Sequence, residues 1–153
     1  MACATRIVGY VRTSPLHRNL VEQKRTLGDA GCTLFFVDEE AKQEAARAVT
    51  PEIRPTVSRP ALDAMLQEVS SGDLVIVWRL DRLGRSLMDL ADILGELSRR
   101  KVGFRSLCEK IDTTGENGEL VLRIVTAVAS FDRFHRISAR NSDVRRLLKR
   151  IGE

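Results

Sequence analysis

The sequence is short of cysteine, histidine and long apolar runs, and each shortage excludes a class of protein. Its three cysteines, Cys3, Cys32 and Cys108, are an odd number with no close pairing in sequence. A disulfide framework and a zinc ribbon are therefore not expected, and a reducing, cytoplasmic compartment is the default. The longest uncharged apolar runs are Leu34–Val37, Leu74–Trp78 and Ile124–Phe131. A bilayer span needs about 20 such residues, so no membrane partner is expected. Met-Ala-Cys-Ala-Thr-Arg leads directly into a strand-like run, which is not the pattern of a signal peptide. His17 and His135 are far apart, and neither His-x-x-x-His nor Cys-x-x-Cys occurs, so no metal site is expected. A Gly-x-x-x-x-Gly-Lys phosphate loop, a dinucleotide fingerprint and internal repeats are also missing.

What remains is ordinary globular composition. Of 153 residues, 43% are hydrophobic and 30% charged, enough for one domain with its own core. The charge is unevenly placed. The net charge is +4, and the segment from Asp132 onward, with seven basic and three acidic residues, carries all of it. That end should meet a polyanion. Arginines outnumber lysines 20 to 5, which suits bidentate phosphate binding and is equally the product of a GC-rich genome.

Arg6–Val11 reads as a strand. Asn19 is placed to cap a helix running to about Ala30, with Gly31 as its stop. Thr33–Val37 reads as a second strand ending at Asp38. Residues 39–58 are polar, contain Pro51 and Pro55, and read as a long loop with a short helix over 40–48. Pro60 opens a helix carrying Leu62, Met65, Leu66 and Val69. Leu74–Trp78 reads as a strand buried on both faces, as in parallel sheets. Ser86 caps a helix with Leu87, Leu90, Ile93, Leu94 and Leu97 on one face, and Val102–Cys108 is a further strand. This order predicts an α/β layered domain over residues 1–117, with a mainly parallel sheet flanked by helices. Such sheets place ligands beyond the carboxyl ends of their strands.

Residues 118–153 differ. From Glu119 to Arg150 no glycine or proline interrupts a helical pattern. Such a helix would be ~48 Å long beside a globule ~40 Å across, and should project. Its first half carries Leu120, Val121, Ile124, Val128, Phe131 and Phe134. Its second half carries Arg133, Arg136, Arg140, Arg145, Arg146, Lys149 and Arg150. Either the apolar part is buried against a partner and the basic part lies on DNA, or the stripe packs on its own domain and the arginines are solvated.

Two strand ends gather polar groups where a site is expected. The first runs out into Tyr10-Val11-Arg12-Thr13-Ser14, the other into Arg79-Leu80-Asp81-Arg82-Leu83-Gly84-Arg85-Ser86. Fixed guanidinium groups stabilise the charge that builds on a transferring phosphoryl group, and a serine within reach can be its nucleophile. Each element alone has an ordinary explanation. A serine after a strand is usually a turn residue, Asp81 a local ion pair, Arg82 and Arg85 a surface patch, Tyr10 core packing, and His17 a surface-loop residue rather than a base.

Taken together, these two stretches, Ile111-Asp112-Thr113-Thr114, and the Gly118-led helix with Ala127-Val128-Ala129 and Asp132-Arg133 closely resemble the catalytic domain of the serine recombinases. The likeness is greatest to the resolvase/invertase group, and it covers nearly the whole chain in order. It implies a resolvase-like fold and a DNA strand-transferase of bacterial or phage type, used in recombination and integration of mobile elements. Ser14 matches the nucleophile that attacks a DNA phosphodiester, leaving a 5′-phosphoserine link and a free 3′ hydroxyl before strand exchange and religation. Arg12, Arg82 and Arg85 match the arginines that hold the scissile phosphate. Asp81 matches a carboxylate that orients an arginine or assists proton transfer, and Tyr10, Gln23 and Asp38 match further site positions. No metal and no ATP are implied.

A further loop arginine is expected. Spacing measured back from Asp81 selects Arg59, and forward from Asp38 selects Arg47. Arg59 is preferred over Arg47 and Arg54, because about a dozen extra residues after Glu39 are easily absorbed in a loop. The resemblance further implies a homodimer through Leu120, Ile124, Val128, Phe131 and Phe134, and a tetramer during strand exchange. Double-stranded DNA would meet Arg136, Arg140, Arg145, Arg146, Lys149 and Arg150. The chain departs from the family pattern at Arg18, often glutamine, at Asp132, usually glutamate, and at its end. A helix-turn-helix domain normally follows the long helix, and the expectation is that it is absent here, leaving sequence recognition weak. That departure motivates an alternative, a non-catalytic dimerisation partner or inhibitor of a full-length recombinase. A third reading is an α/β domain that binds a small phosphorylated ligand.

Overall fold

In the computed structural model, residues 5–13, 19–39 and 58–151 are described, with side chains through residue 139. The described strands are β1 (Ile7–Thr13), β2 (Leu34–Glu39), β3 (Leu74–Val77), β4 (Gly103–Ser106) and β5 (Ile111–Asp112). They form one sheet in the order β2-β1-β3-β4-β5, parallel except for β5. The helices are α1 (Leu20–Asp29), α2 (Pro60–Glu68), a single turn α3 (Leu80–Leu83), α4 (Leu87–Arg99) and α5 (Gly118–Ile151). The α/β layering expected from the sequence is the architecture found. The short helix expected over 40–48 lies outside the described residues.

Alternation along the strands divides the core into two layers. Val8, Tyr10, Val75, Val77 and Phe104 face α2 and α4, where Leu62, Met65, Leu90, Ile93, Leu94 and Leu97 close the larger layer. Val11, Leu74 and Ile76 face the opposite side, against Leu27 of α1 and Cys32. β3 is buried at every position and paired on both edges, which is why its sequence is a continuous apolar run rather than an alternating one.

Two local expectations need correction. Asn19 precedes α1 but makes no side-chain cap, because its backbone (φ −76°, ψ 51°) is outside the extended region a cap requires. It contributes its carbonyl, which accepts from the Gln23 N–H at 2.9 Å. The strand expected over Val102–Cys108 covers only Gly103–Ser106. The chain then turns, with Lys110 at φ 55°, and returns as β5 antiparallel to β4, an element the sequence did not announce. By contrast, Ser86 does cap α4: its hydroxyl accepts from the Asp89 N–H at 3.1 Å. Gly31 ends α1 at φ 100°.

α5 runs for 34 residues, about 51 Å at 1.5 Å per residue. Its inner face, with Leu122, Val125 and the fully buried Ala129, packs on the domain along α4. Leu120, Ile124, Val128, Phe131, Phe134 and Ile137 lie on its outer face at 48–69% exposure. The apolar stripe therefore points away from its own domain. The helix runs antiparallel to α4. Leu122 shares a groove with Leu97 and Ser98, whereas Asp132, Arg133 and Arg136 share one with Ser86. No helix among the described residues is long and apolar enough to cross a membrane.

Gly84 joins α3 to α4 where the two backbones nearly touch. A Cβ there would lie 2.8 Å from the backbone of Leu90. Gly84→Ala should therefore destabilise the protein by about 1–3 kcal/mol, read as a lower midpoint in urea unfolding.

Candidate active site

The parallel register brings the carboxyl ends of β1 and β2 side by side, with Arg12 opposite Asp38 and Thr13 opposite Glu39. β3 ends beside Tyr10 and passes through Trp78 and Arg79 into α3. One edge of the sheet thus receives polar groups from β1, β2, the β3–α4 connection and the start of α2.

Asp38 organises the β2 side. Its carboxylate is 3% exposed and accepts from the Tyr10 hydroxyl at 2.9 Å and from the Ala61 and Leu62 N–H groups at 3.0 Å each. It thereby caps the open N-terminus of α2 from another element. This fixes Arg59, the residue just ahead of α2. The Arg59 guanidinium reaches across to the other side of the edge: Nη1 donates to the Leu83 carbonyl at 2.7 Å, and Nη2 donates to both carboxylate oxygens of Asp89 at 2.8 Å.

On the β3 side, Arg82 is 6% exposed and donates to both Asp81 oxygens at 3.3 Å and to the Arg12 carbonyl at 3.4 Å. Arg79 donates to Asp81 at 2.9 Å from a more exposed position. Arg12, 8% exposed, donates to the Asp81 carbonyl. Gln23, 1% exposed on α1, donates to the Arg12 carbonyl at 3.4 Å, and its buried Oε1 has no hydrogen-bond partner among the described residues. Arg85 is exposed, and its backbone N–H donates to Asp89 at 2.8 Å.

Arg12, Arg82, Arg85, Asp81, Arg59, Tyr10, Gln23 and Asp38 are thus gathered at one edge. Ser14 follows directly on the last residue of β1 and lies outside the described residues, as do His17, Arg18, Arg47, Arg54 and Cys3. The side chains of Arg140, Arg145, Arg146, Lys149 and Arg150 also lie outside them, on the described backbone of α5. Three contributors were not foreseen. Asp89 pairs with Arg59, Arg79 pairs with Asp81, and Glu109 accepts from the Leu80 N–H at 3.3 Å and from the Ser106 hydroxyl. The only signal for Asp89 is its place three residues after the cap Ser86, which marks a helix start and says nothing of a partner such as Arg59.

Five guanidinium groups (Arg12, Arg59, Arg79, Arg82, Arg85) stand at this edge with the carboxylates of Asp38, Glu39, Asp81, Asp89 and Glu109, but the deeply buried members are three arginines (Arg12, Arg59, Arg82) and one carboxylate (Asp38). At depth the excess is positive and suits an anion of low charge. Burial alone would raise the Asp81 carboxyl. The hydrogen bond and charge of Arg82, with Arg79 and Arg12 adding, bring it below the ordinary carboxylate range. Burial likewise opposes ionisation of Asp89, and the Arg85 N–H with the bond and charge of Arg59 hold it low. Both are carboxylates at neutral pH. Among the described residues, no cluster of three His, Cys, Asp or Glu side chains is placed to hold a metal.

The fold and this site have known counterparts. Residues 7–152 match the family model "Resolvase, N terminal domain", and the chain belongs to that family. It is 36% identical over 127 residues to the DNA-invertase of Escherichia phage P1, covering 83% of this chain and 62% of that one. It is likewise 36% identical to the serine recombinase gin of Escherichia phage Mu, over 83% of this chain and 60% of the relative. The chain spans about three fifths of the length of these curated relatives. Among solved structures, a resolvase family site-specific recombinase from Streptococcus pneumoniae superposes with a TM-score of 0.69 at 17% identity. The match covers 93% of this chain and 97% of that one, and it establishes the shared fold.

Tyr10 is the one tyrosine of the chain, so its titration can be read directly. Burial, then the charge and hydrogen bond of Asp38, push its hydroxyl far above the ordinary tyrosine range. The folded protein keeps this proton where the unfolded chain loses it, above about pH 10. The stability it contributes is complete below pH ~10 and declines as pH rises further. Absorbance near 295 nm should show no tyrosinate in folded protein at pH 10.5, and about three-quarters ionisation at the same pH in denaturant. A folded-state tyrosinate signal at that pH would contradict the buried Tyr10–Asp38 bond.

Proposed function

We propose that this chain is the catalytic domain of a site-specific serine recombinase acting on double-stranded DNA. The observation that carries it is the excess of buried, hydrogen-bonded guanidinium groups at the sheet edge where β1 leads into Ser14. The names of the relatives, DNA-invertase and serine recombinase, agree with it.

In this reading the Ser14 hydroxyl attacks the phosphorus of a DNA phosphodiester. A P–O bond to Ser14 forms, the bond to the 3′ oxygen breaks, and the 3′ oxygen leaves as a hydroxyl. Arg12, Arg82, Arg85 and Arg59 hold the non-bridging oxygens, and their fixed geometry favours the transition state over the ground state. Asp81 acts by orienting Arg82. Its carboxyl, held low by Arg82 and Arg79, is poorly suited to carry a proton at neutral pH. Tyr10, Asp38 and Gln23 maintain the frame. The phosphoserine ester conserves the energy of the original bond, so a 3′ hydroxyl from a second strand can reverse the step without a nucleotide cofactor. An inhibitor that only dimerises would not need this buried cationic edge.

DNA would be met by the edge and by the basic half of α5, which runs past Ser86 at the same end of the domain. Arg136, Arg140, Arg145, Arg146, Lys149 and Arg150 supply phosphate contacts there. The outward stripe of Leu120, Ile124, Val128, Phe131 and Phe134 would form the homodimer, which pairs into a tetramer during exchange. The setting is the cytoplasm of a bacterium or of a phage host.

The test is covalent trapping. The full chain is fused after Glu153 to a helix-turn-helix domain of known site and incubated with labelled DNA carrying paired half-sites. A denaturation-resistant adduct on the 5′ side of the break is expected, and Ser14→Ala should abolish it while leaving the fold intact. An equal adduct from Ser14→Ala would refute the assignment. For the assembly, Phe131→Arg should weaken self-association by about tenfold or more, since it places a charge in an apolar seam. Analytical ultracentrifugation reads this as a shift toward monomer, and an unchanged distribution would remove the stripe from the interface.

A further inference from the structure

Asp89 lies on the first turn of α4, outside the set of side chains assigned to the phosphate, yet three parts of the site end on it. Both of its oxygens accept from Arg59 Nη2 at 2.8 Å, and Oδ2 also accepts from the Arg85 N–H at 2.8 Å. Its own N–H is held by the Ser86 hydroxyl at 3.1 Å. We propose that Asp89 is a positioning residue for the reaction: a clasp that sets Arg59 and Arg85 against the scissile phosphate through the rigid start of α4. This rests on the recombinase reading above.

The argument is one of burial and donor geometry. The Arg59 side chain is 10% exposed. A guanidinium at that depth must be paired, or it carries a large desolvation cost. Among the described residues its carboxylate partner is Asp89, and Leu83 O is the second acceptor. Guanidinium has five N–H donors in one plane. The described contacts engage two of them, one Nη1 hydrogen at Leu83 and one Nη2 hydrogen shared between the two Asp89 oxygens, so the group keeps donors for phosphate oxygens. Asp89 thus fixes the plane of the group without consuming all of it. The same carboxylate takes the Arg85 N–H, so the backbone that carries Arg85 is set by the same atom. Arg59 comes from the start of α2 and Arg85 from the end of the β3–α4 connection. Without Asp89 these two segments have no shared side-chain anchor among the described contacts. Asp89 reaches the substrate only through these arginines, so its removal should weaken the chemical step more than DNA binding.

The experiment uses the same fused full chain with four variants: Asp89→Asn, Asp89→Glu, Arg59→Lys and the double variant Asp89→Asn/Arg59→Lys. Single-turnover cleavage is measured beside DNA affinity and thermal unfolding. Asp89→Asn should slow cleavage about 10- to 100-fold, the scale of a small displacement of a catalytic group, with DNA affinity within about twofold. Asp89→Glu, which keeps the charge, should recover part of the rate. In the Arg59→Lys background the added loss from Asp89→Asn should shrink to about threefold or less, because the two residues act as a unit. Wild-type or faster cleavage by Asp89→Asn would overturn the inference, and so would a fully multiplicative loss in the double variant. If Asp89→Asn does not fold, Asp89→Glu decides: cleavage lowered with the fold intact supports the clasp, and an unchanged rate overturns it. Ser14→Ala run in parallel separates the failures. Cleavage that survives it removes the recombinase reading itself, whereas Ser14-dependent cleavage indifferent to Asp89 removes only the clasp.

Discussion

The structure depends on how three guanidinium groups are kept out of water. Arg12, Arg82 and Arg59 lie at 10% exposure or less at a single sheet edge. Desolvating each costs several kcal/mol unless fixed acceptors replace its hydration. The acceptors come from two sources. Asp81 and Asp89 supply charge. The carbonyls of Arg12, Asp81 and Leu83 supply the rest. Such carbonyls are available because strand and helix ends leave backbone acceptors unused. The carboxyl edge of a parallel sheet is therefore both where a ligand can approach and where buried arginines can be satisfied.

Asp38 shows how the frame around these groups is built. It caps α2 from outside the helix, a role usually taken by the residue just before it. That residue is Arg59, whose side chain is engaged at Asp89. An arginine in the cap position would leave the first N–H groups of α2 open, and Asp38 closes two of them while also taking the Tyr10 hydroxyl. The helix start, the β2 end and the β1 tyrosine become one unit. Removing any acceptor in it leaves a buried donor unpaired.

These arrangements were legible in the sequence to different depths. The apolar run Leu74–Val77, Pro60 at a helix start, Ser86 as a cap and Gly31 as a stop each have a local cause, and each is found where its residues imply. The order of these elements was sufficient for the α/β fold. Asn19 failed as a side-chain cap because its backbone lies outside the extended region, and residue type alone does not set a torsion. β5 was missed because two residues cannot display a period, and the reversal depends on Lys110 adopting a positive φ. In the site, Arg12, Asp81, Arg82 and Arg85 were legible because strand ends in such sheets collect ligand groups. Asp89 was not, because an aspartate in a first helical turn is ordinary until Arg59 arrives from 30 residues away.

α4 then links two surfaces that the sequence treats as separate. Its first turn carries Ser86 and Asp89 at the cationic edge. Its buried face, Leu90, Ile93, Leu94 and Leu97, seals the main core. α5 packs along it through Leu122, Val125 and Ala129, leaving the apolar outer stripe of α5 free. A load applied to that stripe by a second chain would pass through a single packed layer before reaching the helix turn that holds Arg59 and Arg85. Close-packed interiors transmit such displacements rather than absorb them. α4 therefore joins the outer stripe of α5 to the cationic edge, and the antiparallel course of α5 brings Arg133 and Arg136 past Ser86 at that edge. The exposed apolar stripe, the basic residues Arg133 and Arg136 and the arginine cluster thus all lie within reach of one rigid element.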